Sequence, residues 1–237
     1  MSGLYVVATP IGNLEDLSRR ALRVLGEVDR IACEDTRQTA KILRAFGLKT
    51  PLTPFHSHNV KKAASVLLEE LEQGGSIAVV TDGGTPGISD PGGYLVSLAR
   101  ERSIPVIPIP GPSALSTILS VAGSPTGPVS FAGFLSIKSG RRRRSLEELL
   151  RRGDCLVLFE SPHRILKLLE ELDELAPQRG ILLGREMTKL HEEYLEGFPR
   201  DLLTELSKRS TIRGEFTVFV REDKTVKLIR DRDDTGK

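Results

Sequence analysis

Short apolar runs alternate with longer amphipathic segments along most of the chain. Leu4–Thr9 is apolar and predicts a buried strand, and Leu14–Leu25 has apolar residues at helical spacing. Further strands are predicted at Arg30–Cys33, Ile77–Thr81 and Val106–Ile109, and further helices at Thr36–Phe46, Val60–Leu71 and Gly93–Arg102. Repeated strand and helix units of this kind predict an α/β domain with a largely parallel sheet.

The second half of the chain repeats this alternation after a proline-rich stretch. A helix predicted at Ser113–Val121 opens it. The later strands are predicted at Val129–Phe134, Cys155–Glu160, Ile181–Glu186, His191–Gly197 and Phe216–Val220, and the later helices at Ser145–Arg152, Ile165–Leu175 and Arg200–Arg209. We therefore predict two α/β domains, residues 1–112 and 113–237. The second carries a basic segment and a charged tail, of which Arg230–Lys237 is expected to be a frayed end.

A glycine-rich loop follows the predicted strand at Ile77. The loop, Asp82–Gly92, contains four glycines and two prolines, so it forms neither a helix nor a sheet ladder. Ligands of open α/β sheets bind at the carboxyl ends of strands, which predicts a binding site here. The alternative is an ordinary long turn. The loop has two aspartates and no basic residue, so it does not fit a phosphate, and no G-x-G-x-x-G follows the first strand.

Composition narrows the class of protein only a little. The fractions of hydrophobic residues, 39%, and of charged residues, 28%, are those of a globular protein, and the formal charge of +2 indicates no general affinity for polyanions. Cys33 and Cys155 both lie in apolar stretches and are expected to be buried, reduced thiols of a cytoplasmic protein. No apolar run is long enough to predict a membrane span.

Seven short motifs occur in a fixed order along the chain. They are Ala8-Thr-Pro-Ile-Gly-Asn-Leu14, Glu34-Asp-Thr-Arg37, His56-Ser-His-Asn59, the glycine loop, Pro110-Gly-Pro-Ser-Ala114, Glu160-Ser-Pro-His-Arg164 and Arg185-Glu-Met-Thr-Lys189. In this order, and with Gly214-Glu215 before the last strand, they closely resemble the ribosomal RNA small subunit methyltransferase I family of the tetrapyrrole methylase superfamily. The chain departs from the family pattern at Val60, where an acidic residue is usual, and at Gly83, where alanine is common.

The resemblance implies two α/β domains with S-adenosylmethionine bound in the cleft between them. It implies 2′-O-methylation of a cytidine ribose near the decoding centre of small-subunit (16S) ribosomal RNA, presented as RNA or as an assembled 30S subunit, by a homodimer. Carried over by position, the donor contacts are Pro10, Gly84, Thr85, Ile88, Ser113, Ala114, Phe159 and Gly214. Two other functions stay open: methylation of a small tetrapyrrole, and RNA binding without catalysis.

A base near the ribose hydroxyl would accelerate methyl transfer to its oxygen. The candidates lie at or just beyond predicted strand ends: Glu34, Asp35, Glu160, His163 and Glu186. Three of these residues have a purely structural alternative. Glu34 and Asp35 could cap the helix that begins near Thr36, and Glu186 could form a surface ion pair with Lys189.

One basic run stands out, and it predicts contacts with RNA phosphates. It consists of Arg141, Arg142, Arg143 and Arg144, for which a solvated helix start is the alternative. Further RNA contacts are expected at Arg37, Arg164 and Lys189. His56 and His58 are close enough in sequence to share a metal ion, but no third ligand cluster follows, and we predict no metal site.

Overall fold

The computed structural model describes residues 2–125 and 127–223. The chain divides into two compact units, Met1–Ala114 and Leu115–Lys237. The boundary predicted from the sequence follows Pro112, and the predicted tail Arg230–Lys237 lies outside the described residues. Each unit contains one five-stranded sheet with helices, which confirms the prediction of an α/β fold with two sheets.

The sheet of the first unit is entirely parallel, with the strand order β3-β2-β4-β1-β5. Its strands are β1 (Gly3–Val7), β2 (Arg30–Cys33), β3 (Leu52–Pro54), β4 (Ser76–Val79) and β5 (Val106–Ile109). The sequence pattern did not predict β3. It is a short edge strand that ends at a proline, and such strands carry little apolar periodicity.

Four helices connect these strands. They are α1 (Arg19–Glu27), α2 (Thr36–Ala45), α3 (Val60–Glu72) and α4 (Gly92–Glu101). The single helix predicted at Leu14–Leu25 is wrong. A 3-10 turn at Leu14–Asp16 precedes α1, and the Ser18 hydroxyl begins α1 by accepting a hydrogen bond of 3.0 Å from the Ala21 N–H.

Apolar side chains cover both faces of the parallel sheet. Leu25 of α1 and Leu43 of α2 pack with Ile31 on one face, and Leu67 of α3 and Leu95 of α4 belong to the cluster on the other. Because the strands are parallel, the carboxyl ends of β1, β2 and β4 meet at one edge of the sheet. Glu34 and the predicted donor contacts Pro10, Gly84, Thr85 and Ile88 lie in the segments that follow these strand ends.

The second unit holds a mixed sheet with the order β6-β7-β10-β8-β9. After α5 (Ala114–Val121) come β6 (Val129–Phe134), α6 (Ser139–Arg151), β7 (Cys155–Glu160), α7 (Ile165–Leu175), β8 (Ile181–Arg185), β9 (Glu193–Gly197), α8 (Pro199–Ser207) and β10 (Phe216–Val220). Strand β6 is parallel to β7, whereas β10 is antiparallel to β7 and β8, and β9 is antiparallel to β8. Helix α6 begins at Ser139, earlier than the predicted Ser145, so the basic run lies in its first turns.

Two features of the described residues bear on the class of protein. Cys33 and Cys155 are free and buried, as predicted. None of the helices in the described ranges is long and apolar enough to cross a bilayer.

Candidate active site

The glycine loop is tied to the end of β1 by a pair of backbone hydrogen bonds. The Thr9 N–H donates to the Gly84 carbonyl at 3.0 Å, and the Gly84 N–H donates to the Thr9 carbonyl at 2.9 Å. The Thr85 hydroxyl donates to the Pro112 carbonyl at 3.0 Å. These contacts bring together three segments that lie far apart in sequence: the turn after β1, the glycine loop and the turn before α5.

Gly84 shows why the loop requires glycine. Its φ of +94° is a conformation that residues with a side chain rarely adopt. A Cβ atom at this position would lie 3.3 Å from the Ile11 side chain and within 4.0 Å of the Pro112 carbonyl and the Ser113 Cα. The predicted donor contacts Pro10, Gly84, Thr85, Ser113 and Ala114 therefore belong to adjoining segments of the first unit.

Asp90 holds the second half of the loop. Its carboxylate accepts hydrogen bonds from the backbone N–H groups of Gly87 at 2.7 Å, Ile88 at 2.9 Å and Gly92 at 2.7 Å. Ser89 between them has a φ of +68°. This role of Asp90 was not predicted, although an aspartate next to a Pro-Gly pair is a known signal for a side chain that bonds neighbouring backbone groups.

Glu34 follows β2 and lies beside the glycine loop. The Thr81 hydroxyl donates to its carboxylate at 3.4 Å. Burial raises the pKa of Glu34 above its ordinary value, and the negative charges of Asp82 and Asp90 raise it further. A carboxylate with a raised pKa is a stronger proton acceptor, which suits a general base.

Asp35, in contrast, serves as the N-cap of α2. Its carboxylate accepts a hydrogen bond of 2.8 Å from the Arg37 N–H and binds the Arg37 guanidinium at 2.7 Å. The hydrogen bond from the Arg37 side chain lowers the pKa of Asp35 to about 2. Asp35 is thus a weak base, and its hydrogen bonds fit the alternative role of capping α2. The Arg37 side chain is 86% exposed, so a phosphate can reach it.

Buried Glu160 forms an ion pair with half-buried Arg164 in the second unit. Arg164 Nε lies 2.7 Å from Glu160 Oε1, and Arg164 also donates to the Leu135 carbonyl at 3.2 Å. The Glu160 carboxylate accepts a further bond from the Ser161 N–H. These bonds argue against the predicted roles of Glu160 as a base and of Arg164 as a phosphate contact. His163, between them in sequence, is exposed.

Glu186 is also committed to local contacts. Its carboxylate accepts hydrogen bonds of 2.9 Å from Lys189 Nζ and from the Glu215 N–H. Burial opposes the charged form, but these two bonds outweigh it and lower the pKa of Glu186. Glu186 is therefore a poor base, and Lys189, which also binds the Glu215 carboxylate at 2.8 Å, is not a free phosphate contact.

Gly214 and Phe159, the two predicted donor contacts of the second unit, have packing roles. Gly214 has a φ of +91°, and a Cβ there would overlap Glu186 Cγ. The Phe159 ring packs against those of Phe131 and Phe134, with centroid distances of 5.0 and 5.6 Å.

The basic run separates into two kinds of arginine. The predicted RNA contact of Arg142 is wrong, because its guanidinium is buried and held by both carboxylate oxygens of Glu171. Arg143 lies between Glu147 and Glu174, which neutralise its charge. Arg141 and Arg144 are exposed and stay available for phosphates.

The histidines do not assemble a metal site within the described ranges. The rings of His56 and His58 lie 6.0 Å apart, edge to face. No group of three His, Cys, Asp or Glu side chains in the part of the chain that the structure describes could hold a metal ion.

Comparison with known proteins identifies the fold and the family. Residues 3–202 match the family described as tetrapyrrole (corrin/porphyrin) methylases. The methyltransferase CobJ has the same fold, with a TM-score of 0.71 at 19% identity over 94% of this chain and 95% of CobJ. A uroporphyrin-III C-methyl transferase from Thermus thermophilus, in complex with S-adenyl homocysteine, has a TM-score of 0.65 at 19% identity, over 92% of this chain and 97% of that one. The matched segment covers most of the chain, and the chain belongs to the tetrapyrrole methylase family.

Sequence relatives narrow the class further. A ribosomal RNA small subunit methyltransferase I from Coprothermobacter proteolyticus is 45% identical, over 92% of this chain and 96% of the relative. A protein of the same name from Thermotoga maritima is 42% identical, over 93% of this chain and 98% of the relative. The chain belongs to the ribosomal RNA small subunit methyltransferase I family.

Proposed function

We propose that this protein transfers the methyl group of S-adenosylmethionine to the ribose 2′-oxygen of a cytidine in small-subunit ribosomal RNA. The convergence of three segments around Gly84 is the observation that carries the proposal. The names of the sequence relatives support the RNA substrate, and the resemblance of the motifs supports the cytidine and its 2′-oxygen.

The residues around Gly84 fit the donor chemically. S-adenosylmethionine has an apolar adenine, a ribose and a charged amino acid end, and it has no phosphate. Half-buried Ile88 offers apolar surface, while the backbone groups of the loop and the half-buried Thr85 and Ser113 offer polar partners. A site that needs no cation to bind its ligand agrees with a loop that contains only acidic charged residues. We assign donor binding to Pro10, Gly84, Thr85, Ile88, Ser113 and Ala114.

The sulfonium of the bound donor supplies a methyl group that is already activated for displacement. The protein has to align the attacking oxygen with it and to accept the proton. Good alignment of two reactants lowers a barrier by about 7 to 11 kcal/mol, and a positioned base adds about a hundredfold or more. We assign the base to Glu34, because its pKa is raised and it lies beside the glycine loop. It takes the proton from the 2′-hydroxyl as the oxygen attacks.

A test of the substrate class separates this proposal from the tetrapyrrole alternative. The protein is incubated with methyl-labelled donor and either small ribosomal subunits without their own methylation or a uroporphyrinogen. We expect label in the ribosomal RNA and none in the tetrapyrrole. Label in the tetrapyrrole alone would exclude the RNA reaction, and donor binding without transfer to either would favour RNA binding without catalysis.

We also propose a homodimer that acts in the cytoplasm, where small ribosomal subunits are found. The homodimer rests on the resemblance of the motifs. Light scattering at micromolar concentration measures the molar mass directly, and a mass of about 26 kDa would exclude the dimer, because one chain has a mass of 26.0 kDa.

A further inference from the structure

A bulge near the end of β6 changes the direction of one aromatic side chain. In the pairing of β6 with β7, Phe131 lies opposite Val157 and Phe134 lies opposite Phe159. Phe131 and Phe134 are three residues apart in β6, whereas Val157 and Phe159 are only two residues apart in β7. Ala132 is the extra residue. Side chains alternate between the faces of a sheet, so the extra residue places Phe134 on the same face as Phe131 and Phe159. Without it, Phe134 would point to the opposite face.

Gly133 makes this bulge possible, and the neighbouring rings hold Phe134 in place. Gly133 has a φ of +59°, which a glycine adopts at low cost. The Phe134 and Phe159 rings meet edge to face at 62°, and Phe131 meets Phe159 at 67°. Nevertheless, 57% of Phe134 is exposed. The bulge thus presents an oriented aromatic surface to solvent, although burial would be the favourable state for such a side chain.

Three exposed cationic side chains follow Phe134 along the chain. Lys138 is exposed just before α6, and Arg141 and Arg144 are exposed three residues apart on that helix. Residues at this spacing lie on the same side of a helix. The opposite side of α6 is buried through Arg142 and Leu146. An exposed aromatic ring followed along the chain by an exposed lysine and two exposed arginines supplies both kinds of group with which proteins bind single-stranded nucleic acids.

We propose that Phe134 stacks on an unpaired base of the RNA substrate, while Lys138, Arg141 and Arg144 bind the adjacent phosphates. This inference rests on the proposed function, because it takes RNA as the substrate. A base offers its face for stacking only when it is unpaired, so the surface binds single-stranded RNA in preference to a duplex. The stacking partner is a nucleotide base of any sequence, because every base has an aromatic face.

The test compares Phe134→Ala with wild-type protein in fluorescence anisotropy titrations. The probe is a short fluorescein-labelled RNA of mixed sequence, alone and annealed to its complement. Loss of one stacked base weakens binding of the single strand by roughly fivefold to 150-fold. We expect this loss in Phe134→Ala, near wild-type affinity in Phe134→Trp, and little change for the duplex.

Phe198→Ala is the matched control. Phe198 is also an exposed phenylalanine of the second unit, with 48% of its surface accessible. It follows β9, whose end pairs with the start of β8, at the opposite end of the sheet from Phe134. We expect Phe198→Ala to bind the single strand as the wild type does. An equal loss in both phenylalanine variants would overturn the proposal, because it would show a nonspecific effect of removing apolar surface.

Three further readouts separate the possible causes. Equal affinity of wild type and Phe134→Ala for the single strand overturns the stacking surface, even where the wild type methylates ribosomal subunits. A fall in donor affinity without a fall in RNA affinity, or a change from dimer to monomer in light scattering with unchanged RNA affinity, also overturns it. If the wild type does not methylate subunits, the proposed function is overturned. In that case, weaker RNA binding by Phe134→Ala than by the wild type would still support the stacking surface.

Discussion

Glu171 of α7 accepts two hydrogen bonds from the Arg142 guanidinium of α6, at 2.9 and 2.8 Å, and only 4% and 5% of these two side chains are exposed. Such a bidentate pair fixes both the distance and the orientation of its partners. It joins two helices that also share the apolar cluster containing Leu146 and Leu168 and the ion pair of Arg143 with Glu174. Arg142 therefore belongs to the core of the second unit, although it stands within a run of four arginines.

The first prediction concerns stability. Arg142→Met leaves the Glu171 carboxylate buried without its partner, and we expect the free energy of unfolding to fall by about 3 to 5 kcal/mol. The double variant Arg142→Met/Glu171→Leu removes both charges and should recover most of this loss. Urea unfolding followed by circular dichroism measures both. A single variant as stable as the wild type would show that the pair contributes nothing to the core.

The second prediction concerns RNA binding by the exposed arginines of α6. Arg141→Gln/Arg144→Gln should weaken RNA binding and flatten the slope of log affinity against log salt by roughly 1.4 to 1.8, from about 0.7 to 0.9 per phosphate. Arg151→Gln/Arg152→Gln, at the other end of α6, is the control with the same change in charge. Equal slopes in the two double variants would show that Arg141 and Arg144 are ordinary solvent-exposed residues at a helix start and do not contact RNA phosphates.

The third prediction concerns the donor pocket. Gly84→Val should abolish donor binding in calorimetry, because a branched side chain at a φ of +94° is strained and would crowd Ile11 and the turn at Pro112. Gly74→Val is the matched control, since Gly74 also has a positive φ, +90°, but a Cβ there meets open space. Unchanged donor affinity in a folded Gly84→Val protein would exclude the glycine loop from the site.

The fourth prediction concerns Glu34 as the base. Glu34→Gln should bind donor and RNA normally and transfer the methyl group about a hundredfold more slowly at saturating substrate. A base acts when deprotonated, so the wild-type rate should rise with pH through the raised pKa of Glu34. Asp82→Asn removes one of the charges that raise this pKa, so the rise should move to lower pH. A wild-type profile that Asp82→Asn leaves unchanged would argue against Glu34.

The raised pKa of Glu34 also predicts the direction in which the stability of the folded protein changes with pH. The folded protein holds this proton more tightly than the unfolded chain does, so protonation favours folding. Relative to Glu34→Gln, the wild type should be most stable below the ordinary glutamate value of 4.5 and should lose this advantage as pH rises through the raised pKa. Urea unfolding of both proteins across this pH range gives the difference.

Local patterns predicted most of the fold, and helix caps and long-range contacts explain what they missed. The strands β5, β6, β7 and β10 have the bounds that alternation predicted, because each is a short run of apolar residues between clear breaks. The helix at Leu14 was wrong because Ser18 competes as a cap. Apolar spacing alone does not register that competition.

The residues of the candidate site likewise divide into those that the sequence predicted and those that it did not. The glycine loop was visible because its composition excludes other structures. The burial of Arg142 could not be predicted from the sequence pattern, because its partner Glu171 lies 29 residues away. Glu160 and Glu186 were indistinguishable from Glu34 at strand ends, and only their hydrogen bonds to Arg164 and Lys189 separate them. Charge sequence alone does not tell which carboxylate is left to accept a proton.

The position of the transferred methyl group on the nucleotide distinguishes methylation of a cytidine ribose from methylation of a base. Small subunits without their own methylation are incubated with wild-type protein and methyl-labelled donor, and the ribosomal RNA is then hydrolysed in alkali. A 2′-O-methyl group blocks cleavage at its own nucleotide, because the free 2′-hydroxyl is the attacking group in that hydrolysis. We expect the label in an alkali-resistant dinucleotide whose first residue is cytidine. Label in alkali-sensitive mononucleotides, which would place the methyl group on a base, would contradict it.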